Sequence, residues 1–329
     1  PLEEAHKRHV KATPVMGGIG MLSGWLLVVG LGLVAFISGR GALSDTISRH
    51  EAGMMARLSP LLVVCAGAVV LTVMGAIDDR RPLRASTKFG VQILVAIATA
   101  AMGIRITAFV PIPGASWVLT VIWITGIINA VNFLDNMDGL AGGIAAIAAF
   151  FFLCTAGIQE QHFVAVLAAV TCGSACGFLL HNRPPAAIFM GDAGSHFLGY
   201  LLAVLGALTT FYRVDGSPTL APILMPLLIL GIPIFDAVAV VILRLREGRP
   251  IYVGDNTHIS HRFAWLGLSR PKAVLLACLL SFSVGSGAVA LLWLPPVGAV
   301  LVLLQAGAIL AIVSVIQFCA PTGGNNESK

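Results

Sequence analysis

Side chains with oxygen ligands recur at every third position near the end of an apolar run long enough to cross a membrane. They are Asn129, Asn132, Asp135 and Asp138. This spacing predicts that neighbours share one side of a helix end or tight turn, so we expect the four side chains to converge. Hard cations such as Mg²⁺ prefer carboxylate and amide oxygens, and Gly139 permits close approach of a ligand. The stretch therefore indicates a magnesium site that handles phosphate. The alternative is a solvated loop that leads into a glycine-rich membrane helix.

An acidic doublet, Asp78 and Asp79, ends an earlier apolar run and is followed by Arg80, Arg81 and Lys88. Two adjacent carboxylates repel each other unless a cation or a proton lies between them, and the basic residues that follow suit an anionic substrate. The pattern favours metal or phosphate binding. A helix end that carries ordinary topology-determining charges is the competing interpretation.

A third acidic motif contains Asp192, which lies between Gly191 and Gly194 directly before another apolar run. Backbone N–H groups at such a helix start can bind a phosphate while the carboxylate binds a metal ion. The competing interpretation is an ordinary helix cap formed by Asp192.

The region from 244 to 271 collects arginines together with the pair His258 and His261. Arginine matches phosphate oxygens, and a histidine pair beside it can bind a diphosphate or exchange a proton near neutral pH. A basic loop that lies against anionic lipid is the alternative. A transition-metal site is disfavoured because there are only two histidines and no nearby cysteine.

The composition, with 57% hydrophobic and 11% charged residues, excludes an ordinary soluble domain and predicts an all-α, polytopic integral membrane protein. The six cysteines form no CxxC pair and suggest neither disulfides nor zinc. We treat residues 1–329 as a single transmembrane domain. Runs long enough to span a bilayer predict ten helices, at about 14–37, 58–77, 89–110, 115–132, 139–157, 162–180, 193–211, 219–243, 272–294 and 297–318.

Ten spans place both ends of the chain on one side of the membrane. Fifteen of the 20 Lys and Arg residues fall on that side, which predicts that it is cytoplasmic. The net charge of +5 is explained by these short basic loops and does not indicate a nucleic-acid partner. The acidic motifs fall on the same side, so the predicted active site is at the cytoplasmic face.

Taken together, the motifs resemble the polyprenyl-phosphate N-acetylhexosamine-1-phosphate transferases, a family that includes the phospho-N-acetylmuramoyl-pentapeptide transferases. The resemblance covers nearly the whole chain in order. It rests on HKRHVKATPVMGG, GAIDDRR with STKFGVQ, NAVNFLDNMDGLAGG, FMGDAGSHFLG, PIFD and DNTHISHRF. Family members usually carry one further helix before the segment that matches residues 1–18, so we expect this chain to lack the family's first helix.

The resemblance implies transfer of a sugar-1-phosphate from a UDP-sugar to a polyprenyl phosphate, with release of UMP, in the inner membrane of a bacterium. This is the first membrane step of cell-wall or surface-polysaccharide synthesis. It implies Mg²⁺, with Mn²⁺ as a substitute, and leaves a homodimer open. The resemblance also implies residue roles. For the metal ion it implies Asp192 with Asn132 or Asn129, for the metal and the lipid phosphate Asp78 and Asp79, and for the nucleotide or metal Asp135 and Asp138. For the phosphates it implies Lys88, for the diphosphate His258, His261 and Arg262, and for the uracil ring Phe189.

The donor is expected to be UDP-N-acetylglucosamine or a close relative. The segment from His258 to Phe263 resembles the loop of members that use simple N-acetylhexosamine donors, whereas members that take the muramoyl-pentapeptide donor carry three histidines followed by Phe-Glu. Ser260 departs from the family's frequent histidine at its position. Two alternatives stay open: a phospho-N-acetylmuramoyl-pentapeptide transferase and, in another class, an ion- or proton-coupled transporter.

Overall fold

The computed structural model describes residues 13–38, 53, 55–106, 114–212, 217–250 and 258–319, with side chains to 316. Several basic residues that entered the topology count lie outside these ranges, namely Lys7, Arg8, Lys11, Arg40, Arg49, Arg213 and Lys329. Regular structure in the described part is helical, and one β-bridge joins Val15 to Phe189. The helices are α1 (Gly17–Ser38), α2 (Leu58–Asp78), α3 (Ala85–Ala101), α4 (Ala115–Leu134), α5 (Leu140–Ile158), α6 (His162–Asn182), α7 (Gly191–Leu208), α8 (Met225–Ile229), α9 (Gly231–Arg246), α10 (Ile259–Trp265), α11 (Arg270–Ala290) and α12 (Pro296–Cys319), with a 3₁₀ turn at Ala221–Leu224.

Each of the ten predicted spans overlaps a helix, although residues 107–110 of the predicted span at 89–110 lie outside the described residues, and the polytopic all-α prediction is confirmed. Seven helices in the described residues are long and apolar enough to cross a membrane, or eight if the bent pair of α8 with its 3₁₀ turn and α9 counts as one span. The helix α3 is shorter than the predicted span and begins earlier, because it starts at Ala85 and ends at Ala101. The helix α7 begins at Gly191, so its first turn contains Asp192.

The span predicted at 219–243 is interrupted, because the chain bends by 69° between Ile229 and Gly231. Two prolines explain the break. Pro226 and Pro233 lie on either side of it, and a proline has no N–H to donate to the preceding turn. The long region at 244–271, predicted as a loop, also contains the short helix α10.

The helix α7 lies at the centre of the bundle. Every residue from Ala193 to Gly206 is buried, which is the behaviour of a helix that is apolar on all its faces. It packs against α1, α2, α4, α5 and α6. One buried apolar cluster includes residues from α1 through α12.

Close packing around α7 depends on small residues. A Cβ at Gly18 or Gly75 would meet the backbone of α7 at its first turn, and a Cβ at Gly67 would meet the Tyr200 ring. Because α1 and α2 approach α7 so closely, the end of α2 and the start of α7 are held together. The acidic motifs of the sequence therefore meet at one end of the bundle.

Candidate active site

The first turn of α7 is capped by carboxylates from two other helices. Asp79, directly after α2, accepts hydrogen bonds from the N–H of Asp192 at 2.8 Å and of Ala193 at 3.2 Å. Asp135, directly after α4, accepts a backbone hydrogen bond from Gly191. N–H groups in the first turn of a helix have no partner inside the helix, and its dipole favours anions there. The protein's own acids bind these N–H groups, which disfavours the predicted binding of a substrate phosphate there.

Lys88 joins the acidic doublet to Asp192. Its ammonium lies 2.9 Å from Asp78 Oδ2 and 2.9 Å from Asp192 Oδ2, and all three side chains keep partial exposure. The other oxygen of Asp78 accepts the N–H of Leu83 at 2.6 Å, which fixes the turn between α2 and α3. A cation thus lies between two carboxylates that are 114 residues apart in the chain and would otherwise repel each other.

Asn132 completes the cluster, because its Nδ2 donates to Asp192 Oδ1 at 3.0 Å and to Ser195 Oγ at 2.9 Å. Asn129 does not join it. Its amide donates to Gln92 on α3 at 2.7 Å and to the carbonyl of Thr125 at 2.7 Å. Three residues correspond to 300° of helical rotation, so side chains at this spacing drift around the helix. The expected convergence therefore fails for Asn129, which lies one turn deeper.

Asp138 and Asn182 hold the segment that precedes α7. Asp138 Oδ2 accepts the N–H of Ala186 at 3.1 Å. Asn182 accepts the N–H of Gly139 at 2.8 Å and donates to the carbonyl of Ile188 at 2.8 Å. The sequence did not single out Asn182, which no acidic or glycine-rich motif contains. Asp138 therefore positions the backbone segment beside the cluster through Ala186.

Phe189 closes this segment on the other side. Its N–H donates to the carbonyl of Pro14 at 2.9 Å, and its own carbonyl accepts from Gly17 at 3.0 Å. The backbone is therefore fixed while the ring is 42% exposed. An exposed ring on a fixed backbone is suited to stacking against a planar ligand.

Negative charge is concentrated around the start of α7. Burial, together with the neighbouring Asp192, Asp79 and Asp138, raises the pKa of Asp135 to about 7, although the hydrogen bond from Gly191 opposes the rise. Burial also raises the pKa of Asp79, and its two backbone hydrogen bonds oppose that shift. Such a group of carboxylates favours a bound cation.

The histidine segment approaches the same end of the bundle through α9 and α10. His258 Nδ1 donates to Asp236 Oδ2 at 2.7 Å, and the N–H of Ile259 donates to Asp236 Oδ1 at 2.8 Å. Because an ionised carboxylate only accepts, the contact leaves Nε2 as the second ring nitrogen for another partner. The rings of His258 and Phe133 are 6.2 Å apart at an angle of 62°, which places His258 beside the end of α4.

Ser260 also fastens α10 to the acidic loop, since its hydroxyl donates to Asn136 Oδ1 at 2.6 Å. Asn136 lies between Asp135 and Asp138 and is not part of the every-third-residue pattern, so the sequence did not predict its role. A serine at this position is thus a structural link where the family often has histidine. Arg262 is buried and lies 4.9 Å over Trp265, while His261 is half-buried.

The described side chains contain no group of three or more His, Cys, Asp and Glu residues arranged to hold a metal ion. The cluster still fits a hard cation, because it brings together Asp78, Asp192 and the amide of Asn132. Mg²⁺ is usually bound by one or two carboxylates with substrate phosphates. A site of that kind needs few protein ligands.

Comparison with known proteins shows the family to which the chain belongs. Residues 61–210 match the family described as glycosyl transferase family 4. A protein of Bacillus subtilis, named probable undecaprenyl-phosphate N-acetylglucosaminyl 1-phosphate transferase, is 35% identical over 87% of the chain and 75% of its own length. The chain belongs to glycosyl transferase family 4.

Two further relatives have names that differ in the sugar group. The decaprenyl-phosphate N-acetylglucosaminephosphotransferase of Mycobacterium leprae is 33% identical over 94% of the chain and 80% of its own length. The phospho-N-acetylmuramoyl-pentapeptide-transferase of Rubrobacter xylanophilus is 32% identical over 83% of the chain and 82% of its own length. The predicted family is confirmed. One of these relatives is named for N-acetylglucosamine and the other for the muramoyl-pentapeptide, which are the two sugar donors considered for the chain.

Proposed function

We propose that the chain transfers N-acetylglucosamine-1-phosphate from UDP-N-acetylglucosamine to a polyprenyl phosphate, giving a polyprenyl-diphosphate sugar and UMP. The observation that carries the proposal is the bridge from Asp78 through Lys88 to Asp192 at one end of the bundle. It combines fixed positive charge with oxygen ligands where a membrane lipid and a soluble nucleotide can meet. Family membership supplies the reaction class.

Mg²⁺, with Mn²⁺ as a substitute, is part of the proposal. Asp192, Asp78 and the Asn132 amide would hold it, together with phosphate oxygens of the substrates. When bound, the ion supplies charge stabilisation to the phosphates during transfer.

The protein's own residues place the reacting groups. Asp79 and Asp135 hold the first turn of α7 and thereby fix the position of Asp192. Lys88 offers a positive charge that reduces repulsion between two anionic substrates. Its two hydrogen bonds keep the ammonium at the cluster when no substrate is present.

No strong base is needed for direct attack. A phosphate monoester has a second pKa of about 6, so the lipid phosphate is mostly a dianion at neutral pH. We therefore favour a single transfer step, in which a lipid phosphate oxygen attacks the β-phosphorus of the donor and UMP leaves. The two-step route through an aspartyl phosphate is the alternative.

The segment around α10 is proposed to bind the donor's diphosphate. Asp236 fixes the His258 ring, and Ser260 fixes the segment to the loop that carries Asp135. His258, His261 and Arg262 would then approach the diphosphate with donors from one short helix. Phe189 would lie against the uracil ring.

The orientation follows from the distribution of charge. We place the cluster at the cytoplasmic face of a bacterial inner membrane, because the predicted basic loops lie at the same end of the helices. A nucleotide sugar cannot enter hydrocarbon, and a polyprenyl tail does not leave it. A coupled transporter is disfavoured, since charged groups of a transporter are expected near the middle of the membrane.

The donor choice is tested by measuring kcat/KM with two donors and one polyprenyl phosphate. UDP-N-acetylglucosamine should exceed the UDP-muramoyl-pentapeptide donor by at least about 10²-fold, because Arg262 replaces an acid beside the diphosphate and sugar. Comparable turnover of the muramoyl donor would refute the donor choice and leave the reaction class standing. Failure with every UDP-sugar would refute the proposed function.

A further inference from the structure

Two consecutive residues at the end of α4 contact different parts of the proposed site. Asn132 donates to Asp192 Oδ1 at 3.0 Å, within the acidic cluster. The next residue, Phe133, has its ring 6.2 Å from the ring of His258, which directly precedes α10. Consecutive residues of a helix are rotated by about 100° from each other, so one helix end can contact two groups at once. The end of α4 therefore lies between the acidic cluster and the histidine segment.

The Phe133 ring also contacts a buried cation. The guanidinium carbon of Arg244, near the end of α9, lies 5.2 Å from the centroid of the ring, and Arg244 is only 1% exposed. An aromatic face attracts a cation more strongly where water is excluded. The contact with His258, at an angle of 62° between the rings, is of the favourable edge-to-face kind. Phe133 thus joins α4 to α9 and to the residue that begins the histidine segment.

Asn136 forms the polar part of the same contact. Its Oδ1 accepts the hydroxyl of Ser260 at 2.6 Å, and its Nδ2 donates to the Phe133 carbonyl at 2.9 Å. Ser260 is fully buried. A buried hydroxyl whose acceptor is removed is left unsatisfied, which makes this contact costly to break. Asn136 thereby connects the backbone of Phe133 to α10, in addition to the contacts made by the Phe133 ring.

Asp236 holds the histidine segment from α9. Its carboxylate accepts His258 Nδ1 at 2.7 Å and the N–H of Ile259 at 2.8 Å. These two hydrogen bonds fix the segment to its own neighbouring helix and orient the His258 ring. The separation between that ring and the acidic cluster depends in addition on contacts with α4. Phe133 and Asn136 supply contacts of this kind.

We propose that Phe133 and Asn136 are positioning residues for the donor. They hold the histidine segment at a fixed separation from the cluster of Asp78, Lys88 and Asp192, so that both parts of the site can bind one diphosphate. This inference rests on the proposed function, because it explains how the segment assigned to the donor is held in place. If either residue is lost, donor binding must also order the histidine segment, and donor affinity falls. The acceptor is bound elsewhere, so its KM is unaffected.

A double-mutant cycle on the purified full chain tests the hydrogen bond between Asn136 and Ser260. Asn136→Ala and Ser260→Ala should each raise KM for UDP-N-acetylglucosamine by about 5-fold, because one buried hydrogen bond is lost. KM for polyprenyl phosphate should change by less than about 2-fold. The donor KM of the double variant should not exceed that of Asn136→Ala, since both substitutions remove the same interaction. Effects that multiply in the double variant would overturn the role of this hydrogen bond.

Ser281→Ala is the matched control for this cycle. Ser281 is also buried, and its hydroxyl has no hydrogen-bond partner within the described part of the chain. The substitution therefore deletes a buried hydroxyl without deleting a hydrogen bond, and both KM values should stay unchanged. If Asn136→Ala and Ser260→Ala match Ser281→Ala, or raise both KM values equally, the positioning role is overturned.

Phe133→Leu tests the aromatic contact. Leucine keeps apolar volume and removes the ring that Arg244 and His258 contact, so the donor KM should rise by about 5-fold with an unchanged acceptor KM. Phe282→Leu is the control, because it removes a ring that lies 5.2 Å from Phe151 in the contact between α11 and α5. A donor KM of Phe133→Leu equal to that of Phe282→Leu would overturn the assignment of Phe133.

A distance measurement tests the position of the histidine segment without turnover. Spin labels are attached at Ala187 and Leu266, both exposed, in a chain cleared of its native cysteines. The unaltered chain and Ser281→Ala should give a narrow distribution of distances, and Phe133→Leu and Asn136→Ala a broader one. An equally narrow distribution in these two variants would overturn the proposal. Absence of transfer by the unaltered chain would instead contradict the proposed function, and the distance measurement would still test the positioning role.

Discussion

The carboxylate of Asp79 accepts a hydrogen bond from the backbone N–H of Asp192 at 2.8 Å, although the two residues are 113 positions apart. Its second oxygen accepts the N–H of Ala193. One acid of the doublet thus caps the helix that carries the proposed metal ligand. The position of Asp192 is set by α2 as well as by α7.

Removing this cap should affect both stability and turnover. Asp79→Ala deletes two acceptors at a helix start, and we expect a loss of about 1 kcal/mol in the free energy of unfolding together with a lower kcat. Asp79→Asn keeps one amide oxygen, so its melting temperature and kcat should lie between those of Asp79→Ala and the unaltered chain. Thermal unfolding and kcat are measured in one detergent. An Asp79→Ala protein with unchanged melting temperature and kcat would contradict the capping role.

Asp192→Asn preserves the shape of the side chain and removes its charge. If this carboxylate supports the metal ion, turnover should fall by at least about 10²-fold. The measurement is kcat over a series of Mg²⁺ concentrations, with melting temperature as the control for folding. Near-normal turnover of the variant at limiting Mg²⁺ would exclude Asp192 from metal binding.

Gly75→Ala should loosen the contact between α2 and α7. The added methyl group would meet the backbone of Asp192 and Ala193, and overpacking of this kind costs about 1–3 kcal/mol. Gly90→Ala on α3 is the matched control, because its Cβ would meet open space and alanine favours a helix. Thermal unfolding should therefore move in opposite directions for the two variants. A Gly75→Ala protein as stable as Gly90→Ala would disprove the close approach.

The orientation can be tested by cysteine labelling in a chain cleared of its six native cysteines. Ser269→Cys lies before α11 at the end that contains the acidic cluster, and Gly157→Cys lies near the end of α5 at the opposite side. In intact cells, an impermeant reagent should label position 157 and spare position 269. The reverse pattern would overturn the cytoplasmic placement of the active site.

Hydropathy could predict the helices because burial in a bilayer requires long apolar runs. It could not predict the bend near Leu230, where the prolines act within an otherwise apolar stretch. The predicted topology placed Asp78, Asp192 and Asn132 at the same end of the helices, and they meet there in the fold. The predicted convergence of residues at every third position failed for Asn129, because three-residue spacing drifts around an α-helix.

Other features depend on tertiary contacts that no local pattern contains. Asn136 and Asn182 matter through partners more than 40 residues away. The N–H groups of α7 looked available for a ligand in the sequence, and Asp79 and Asp135 occupy them in the fold. Residue types and motifs in the sequence identified the candidate ligands. The hydrogen-bond partners of those ligands are determined by the packing of α2 and α4 against α7.

The identity of the released nucleotide distinguishes phosphoryl transfer from transfer of the sugar alone. UDP-N-acetylglucosamine labelled with ³²P in its β-phosphate is incubated with the purified chain, Mg²⁺ and polyprenyl phosphate. Direct phosphoryl transfer predicts that unlabelled UMP is released and that the ³²P moves to the lipid, with neither event when the acceptor is omitted. Release of labelled UDP with an unlabelled glycolipid would mean that the sugar alone is transferred, and it would contradict phosphoryl transfer at the Asp78, Lys88 and Asp192 cluster.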